Sequence, residues 1–208
     1  MNGKWEPFWE EAYGNEEKTA FSAEPNETLV EFEHLLNQDF KILEVGCGEG
    51  QNLLYLARRG FKHLEAFDIS EKGIGKLKRR CEVEGANIDA YVADLTKFQF
   101  EKSYDLIMSF GTLHFVSREE WRKFLRDAKN CTNVGGIHIM QIFTDQVPIT
   151  EDLAPFAIGI AKNQEIKELY KGWEVLSFKS YIFKDEHSGM PEHFHAANKI
   201  VARRKEKF

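Results

Sequence analysis

The residues with chemistry in them sit at the ends of short apolar runs. Lys41–Val45 is such a run, and Gly46-Cys47-Gly48-Glu49-Gly50 follows it directly. Glycine is needed where a chain turns sharply from strand to helix, and where backbone must approach a ligand with no Cβ in between. Such a turn also aims the N–H groups of the helix start at whatever lies above the strand. Two further runs end in an aspartate, Asp68 within residues 63–69 and Asp94 just after residues 88–93. A carboxylate at the carboxyl end of a parallel strand can accept ribose hydroxyls, in hydrogen bonds worth roughly 1.5–3 kcal/mol each. Plainer roles are open to both: Asp68 as a helix N-cap, Asp94 as the start of an Asx turn into Thr96. Histidines are the remaining candidates. His114 follows the fourth run, where a lone histidine is more often structural than catalytic. His187, His193 and His195 share a short stretch with acidic neighbours. That stretch suits an acceptor pocket with a general base, a zinc-type site, or an exposed hairpin loop.

These groups need a scaffold that gathers strand ends. Residues 41–45 are short and apolar with β-branched members, which reads as a buried parallel strand. A helix over 52–59 follows, with Leu53, Leu54, Leu56 and Ala57 at helical spacing and Gly60 as its stop. Strands are expected at 63–69, 88–93, 104–109 and 137–143, the last entered through a Gly135-Gly136 turn. Helices are expected at 71–80, at 118–132 with Trp121, Phe124, Leu125 and Ala128 on the apolar side, and at 164–170. Residues 144–161, with Pro148 and Pro155, form a long connection that offers Phe156 and Ile160 as pocket walls. Alternation over 173–184 and a short run at 199–202 give a closing antiparallel hairpin. The expected fold is α/β: a Rossmann-like doubly wound seven-stranded sheet, mostly parallel with the last strand antiparallel, and helices on both faces.

One domain is expected over 1–208, with residues 39–208 as its core and 1–38 as an N-terminal helical segment. Trp5, Phe8, Trp9 and Ala12 form one helical stripe. It either packs on the core or folds over the site as a lid, with Trp9 or Tyr13 in the pocket wall. Asn26 is the expected cap of a second helix whose buried side is Leu29, Val30, Phe32, Leu35 and Leu36.

The chain has 208 residues, enough for one good core. Its net charge of −6 argues against a nucleic-acid partner. The basic cluster at residues 76–80 reads as the solvated face of a helix. An acidic, aromatic N-terminus is unlike a secretory leader, and no apolar segment is long enough to span a membrane. Cys47, Cys81 and Cys131 show no paired spacing, which fits a reducing cytoplasm and speaks against a cysteine zinc site. No metal, nucleic acid or membrane is expected as a partner, and the protein is read as a monomer or homodimer.

The turn Glu44, Gly46, Gly48 and Gly50 resembles the acidic-x-Gly-x-Gly-x-Gly motif of class I S-adenosylmethionine-dependent methyltransferases. A dinucleotide fingerprint would need glycine where the chain has Gln51, which disfavours a nicotinamide-dependent oxidoreductase. Narrower features are similar to the tellurite-resistance (TehB-like) methyltransferase group. They are Trp9 and Tyr13, the run through residues 46–57, Glu168-Leu169-Tyr170 before Gly172-Trp173-Glu174, and a His-bearing hairpin before the final strand. The resemblance implies S-adenosylmethionine as cofactor and S-adenosylhomocysteine as product. It places Asp68 and Ile69 at the ribose, and Asp94 and Leu95 at the adenine. Glu44, Gly46, Cys47, Gly48 and Asn52 lie around the glycine turn, Phe110 and Leu113 flank the cofactor, and Trp9 and Tyr13 close over it. His187 and His195 are then the candidate catalytic residues.

In that group the hairpin offers histidine and arginine to an oxyanion acceptor. His187 matches the histidine, while His193 and His195 stand where arginines would be expected. The Asn/Asp-Pro-Pro-aromatic motif of adenine and glutamine methylases is missing after residue 109. The expected acceptor is therefore a small molecule: a chalcogen oxyanion or a thiol, with an amine, hydroxyl or carboxylate as the alternative. A soft anion needs no strong base, whereas an amine or hydroxyl would need one, first of all His187. A non-catalytic regulator that binds the same cofactor is the reading from another class.

Overall fold

Strand β1 (Lys41–Val45) shows how the sheet is built. Ile42 and Leu43 point to opposite faces, yet both are fully buried, so the strand is covered on both sides. The computed structural model describes residues 6–15, 19–20, 22–151, 153–185 and 193–206. Six further strands join β1: β2 (His63–Asp68), β3 (Ile88–Val92), β4 (Tyr104–Phe110), β5 (Thr132–Phe143), β6 (Glu174–Asp185) and β7 (His193–Arg203). They form one 7-stranded sheet in the order β3-β2-β1-β4-β5-β7-β6. The pairs among β1 to β5 are parallel, and β7 runs antiparallel to both β5 and β6. Only the last strand is therefore reversed.

Helices α1 (Glu6–Ala12), α2 (Glu27–Phe32), α3 (Gln51–Arg58), α4 (Glu71–Glu84), α5 (Arg118–Asn130) and α6 (Glu165–Leu169) flank the sheet. One core cluster joins Ile42, Leu106, Met108 and Ile139 to Leu29, Leu53, Leu56 and Leu77, from α2, α3 and α4. The other joins Leu43, Ile107, Met140 and Ile200 to Trp121, Phe124, Leu125 and Ile166, from α5 and α6. Sequence order reverses direction at β1, with β2 on one side and β4 on the other. Ligands of open α/β sheets bind in the crevice beyond the carboxyl ends of the strands at such a point.

Several expectations are corrected. Val30 is 44% exposed, one position round α2 from fully buried Leu29, and α2 itself stops at Phe32 and continues as a short 3-10 turn over Glu33–Leu35. Strand β5 begins at Thr132, not after Gly135-Gly136; Gly135 N donates to Arg204 O at 2.9 Å and Arg204 N to Gly136 O at 2.8 Å, so the glycines stay in the sheet. Strand β7 begins at His193, six residues before the expected run at 199–202, because buried His195 and Asn198 interrupt its apolar pattern. Lys76 is not on a solvated face. It is 7% exposed and pairs with Glu49 at 2.5 Å. Removing either partner of so buried a pair would leave an uncompensated charge.

Candidate functional site

The carboxyl ends of β1, β2, β4 and β5 and the loop after β3 open onto one cavity of about 870 Å³. Local chemistry sets the glycine turn in its floor. Gly46 and Gly48 have φ of 69° and 52°, in the left-handed region. A Cβ on Gly46 would lie 1.9 Å from Thr112 Oγ1, and one on Gly48 would lie 2.6 Å from the Tyr13 hydroxyl. The turn's amides are consumed within the protein. Gly46 N and Cys47 N donate to Phe67 O at 2.9 and 3.1 Å, Gly50 N to Cys47 O at 2.9 Å, and Gly48 N to Asp68 Oδ2 at 2.8 Å. The expectation that this turn presents its N–H groups to a ligand is corrected for these four.

Carboxyl groups line the cavity instead: Glu44, Glu49, Asp68 and Asp94. Glu44 is 2% exposed; its Oε1 accepts from Asn52 Nδ2 at 2.5 Å, and its Oε2 is buried without a hydrogen-bond partner among the described residues. Burial pushes the Glu44 carboxyl up to about 8; Asn52 works against that and the Asp68 charge adds to it. Asn52 is itself held, its Oδ1 accepting from Asn26 N at 2.7 Å. Asp68 Oδ1 accepts from Ser70 N at 3.0 Å. Burial raises the Asp68 carboxyl, against the bonds from Ser70, Gly48 and Ile69. Ser70, not Asp68, caps α4: its side chain accepts from Gly73 N at 3.0 Å. Asp94 does make the Asx turn, accepting from Thr96 N at 2.9 Å and Thr96 Oγ1 at 2.7 Å. Burial raises the Asp94 carboxyl, but Thr96 and Lys97 bring it below its ordinary value.

Of the residues named from the sequence, the cavity wall contains Trp9, Tyr13, Glu44, Gly46, Cys47, Gly48, Asn52, Asp68, Ile69, Asp94, Leu95, Phe110 and His195. Leu113 is the exception. It is fully buried in the core, since the 3-10 turn Leu113–Phe115 turns it inward while Thr112 and His114 line the cavity. His187 lies outside the described residues. Sequence reasoning weighed His114 and favoured a structural role, and passed over Gln141, Phe143 and Phe183; all four line the cavity, with Phe143 packed between His114 and Phe183. His114 and His195 both stack on Phe143, with centroids 4.0 and 4.8 Å away. His195 Nε2 lies 3.0 Å from His193 Nε2. The available signal was position: His114 follows β4 and Phe143 ends β5, both at carboxyl ends of strands. Among the described residues, no three or more His, Cys, Asp or Glu side chains gather as a metal site.

The segment ahead of β1 closes one side. Phe8 packs on Phe156 at 4.7 Å and Trp9 on Phe115 at 4.9 Å. Glu10 Oε1 accepts from Ser70 Oγ at 2.7 Å and Lys72 N at 3.3 Å, pinning α1 to the start of α4. Ala20 N donates to Glu49 Oε2 at 2.9 Å. Tyr13 is 7% exposed; burial, then the Asp68 charge, hold its phenol well above its ordinary value, so it is neutral.

The site fits S-adenosylmethionine on its own chemistry. An unpartnered buried carboxyl oxygen at Glu44 and a carboxyl-rich wall match a ligand that carries an ammonium and a sulfonium. A pyrophosphate would meet the same carboxyl groups with the turn's amides already engaged.

Comparison with known proteins agrees with this fit. The family model described as "Tellurite resistance protein TehB" matches residues 17–189. A probable S-adenosyl-L-methionine-dependent methyltransferase TehB from Haemophilus influenzae is 35% identical over 140 residues, 66% of this chain and 47% of that protein. This chain thus spans about half the length of the curated relatives it matches. The crystal structure of TehB from H. influenzae superposes with a TM-score of 0.78 at 26% identity, covering 96% of this chain and 67% of that one. Magnesium protoporphyrin IX methyltransferase from Synechocystis, solved with bound S-adenosylhomocysteine, shares the fold at a TM-score of 0.62 and 18% identity, over 86% of this chain and 79% of that one.

Proposed function

The chain belongs to the TehB tellurite-resistance family, and on that premise we propose that it transfers a methyl group from S-adenosylmethionine to a small acceptor bound at the far end of the cavity. The observation that carries this reading is the carboxyl-lined crevice at the strand ends, with Glu44 Oε2 unpartnered and Gly46 and Gly48 bare of Cβ. When bound, the cofactor supplies a methyl group already activated on a sulfonium.

The protein's part is to bind, orient and exclude water. Asp68 is locked by backbone amides in one orientation and is the residue for the ribose. Asp94 and Leu95 take the adenine end, Glu44 and Asn52 the amino-acid end, and Phe110 lies against the cofactor. Trp9 and Tyr13 form the lid, in keeping with the anchoring of α1 by Glu10. His195 is the described histidine placed to receive a proton from an acceptor that carries one. His187 keeps the same role as an expectation from the sequence.

The acceptor is a chalcogen oxyanion or a thiol; amines, hydroxyls and carboxylates are the alternative. No helix among the described residues is long and apolar enough to cross a membrane. Three free thiols, Cys47, Cys81 and Cys131, support a reducing cytoplasm as its place of work. The test is transfer of labelled methyl to tellurite, selenite, small thiols, amines, phenols and carboxylic acids, with volatile products trapped. Labelled product from the chalcogen or thiol arms is expected, volatile in the case of the small thiols. Cofactor binding with no transfer to any acceptor would leave a regulator that binds S-adenosylmethionine.

A further inference from the structure

The far end of the cavity has a chemistry of its own. Its walls are Phe115, Phe143 and Phe183, and its polar groups are Gln141, His114 and His195. His114 is 1% exposed. Phe143 N donates to its Nδ1 at 3.4 Å, so the neutral ring carries its proton on Nε2. That Nε2 is buried and has no hydrogen-bond partner among the described residues. A buried donor without an acceptor is costly, and a ligand atom accepting from it would remove that cost. Burial, aided by the His195 charge, also pushes the His114 imidazole down to about 3, so the group is a neutral donor and not a cation.

Building on the methyltransferase reading, we infer that His114 Nε2–H holds the acceptor's nucleophilic atom, and that this acceptor is a soft, single-atom nucleophile: the sulfur or selenium of a small thiol or selenol. A neutral donor flanked by the rings of Phe115 and Phe143 suits a weakly hydrated, polarisable atom. A chalcogen oxyanion brings several strongly hydrated oxygens, each needing a partner on entry. In the transfer, the acceptor's lone pair forms the new bond to the methyl carbon. The old carbon–sulfur bond breaks with its electron pair left on the donor sulfur, and the thiol proton passes to His195.

The experiment compares wild type with His114→Phe, which keeps a ring and removes the N–H. With ethanethiol as acceptor, kcat/KM should fall about tenfold or more while S-adenosylhomocysteine affinity stays within about twofold. Unchanged kcat/KM would overturn the inference. A second measurement needs no variant. Ethanethiol added to the wild-type protein loaded with S-adenosylhomocysteine should shift the 15N-attached proton of His114 Nε2, and no shift would overturn the inference. Wild-type preference for selenite or tellurite over thiols would refute the acceptor class and leave the methyltransferase reading intact. Cofactor binding without transfer to any acceptor would remove both.

Discussion

Glu44 concentrates the site's electrostatics in one side chain. Its carboxyl titrates at about 8 in the folded chain against an ordinary 4.5. Between those values the folded state holds a proton that the unfolded state has lost, so stability must fall as pH rises through that interval. A single group contributes a slope of about 1.4 kcal/mol per pH unit. Urea unfolding of the cofactor-free protein across this range should show the decline, and Glu44→Gln should flatten it. A slope identical in the two proteins would mean that Glu44 is ionised throughout. Gly48 tests the same floor sterically. Gly48→Ala should weaken S-adenosylhomocysteine binding about tenfold or more by calorimetry, since its Cβ would fall 2.6 Å from the Tyr13 hydroxyl at a positive φ. At this scale the sequence located the glycine-turn half of the cavity wall, because its glycines and aspartates fall at the ends of apolar runs. It was poorly legible for the acceptor half. His114 and Phe143 are common residue types whose partnership arises only when β4 and β5 pair.

Among the elements, α1 and the connection between β5 and α6 decide how closed the cavity is. Glu10 alone ties α1 to Ser70 Oγ and Lys72 N. Glu10→Ala should speed hydrogen exchange in α1 and cofactor release, while global stability changes by less than about 1 kcal/mol. Loss of stability without faster exchange in α1 would show that the segment is core and not lid. On the other side, Trp121 Nε1 donates to Gly159 O at 2.8 Å and fastens the connection to α5. Trp121→Phe should cost about 1–3 kcal/mol in urea unfolding by stranding that carbonyl. Parallel strands and amphipathic helices were readable from their periods. The extent of β7 was not, because Asn198 is fully buried and satisfied by Gln164 N at 2.7 Å and Asn163 Oδ1 at 3.0 Å, partners that no local pattern reveals.

The whole molecule is a two-faced sheet whose one open end carries the chemistry, and part of its acid sensitivity lies away from that end. His138 is fully buried between Thr132 Oγ1 and the Tyr170 hydroxyl, at 2.7 and 2.6 Å. Burial, with the nearby Lys129 charge, pushes it down to about 3 from 6.5. The folded state therefore stays neutral there while the unfolded chain takes up a proton, and stability is lost as pH falls from 6.5 toward 3. His138→Gln should lessen that acid slope; an unaltered slope would place the effect on other groups. The central claim is that the carboxyl-lined crevice at the β1–β4 switch point is an S-adenosylmethionine site. The most direct measurement is calorimetric titration of S-adenosylhomocysteine and of NAD into wild type and Asp68→Ala. The account predicts one site for S-adenosylhomocysteine, weakened about tenfold or more in the variant, and no heat from NAD. Binding of NAD, or S-adenosylhomocysteine affinity untouched by Asp68→Ala, would contradict it.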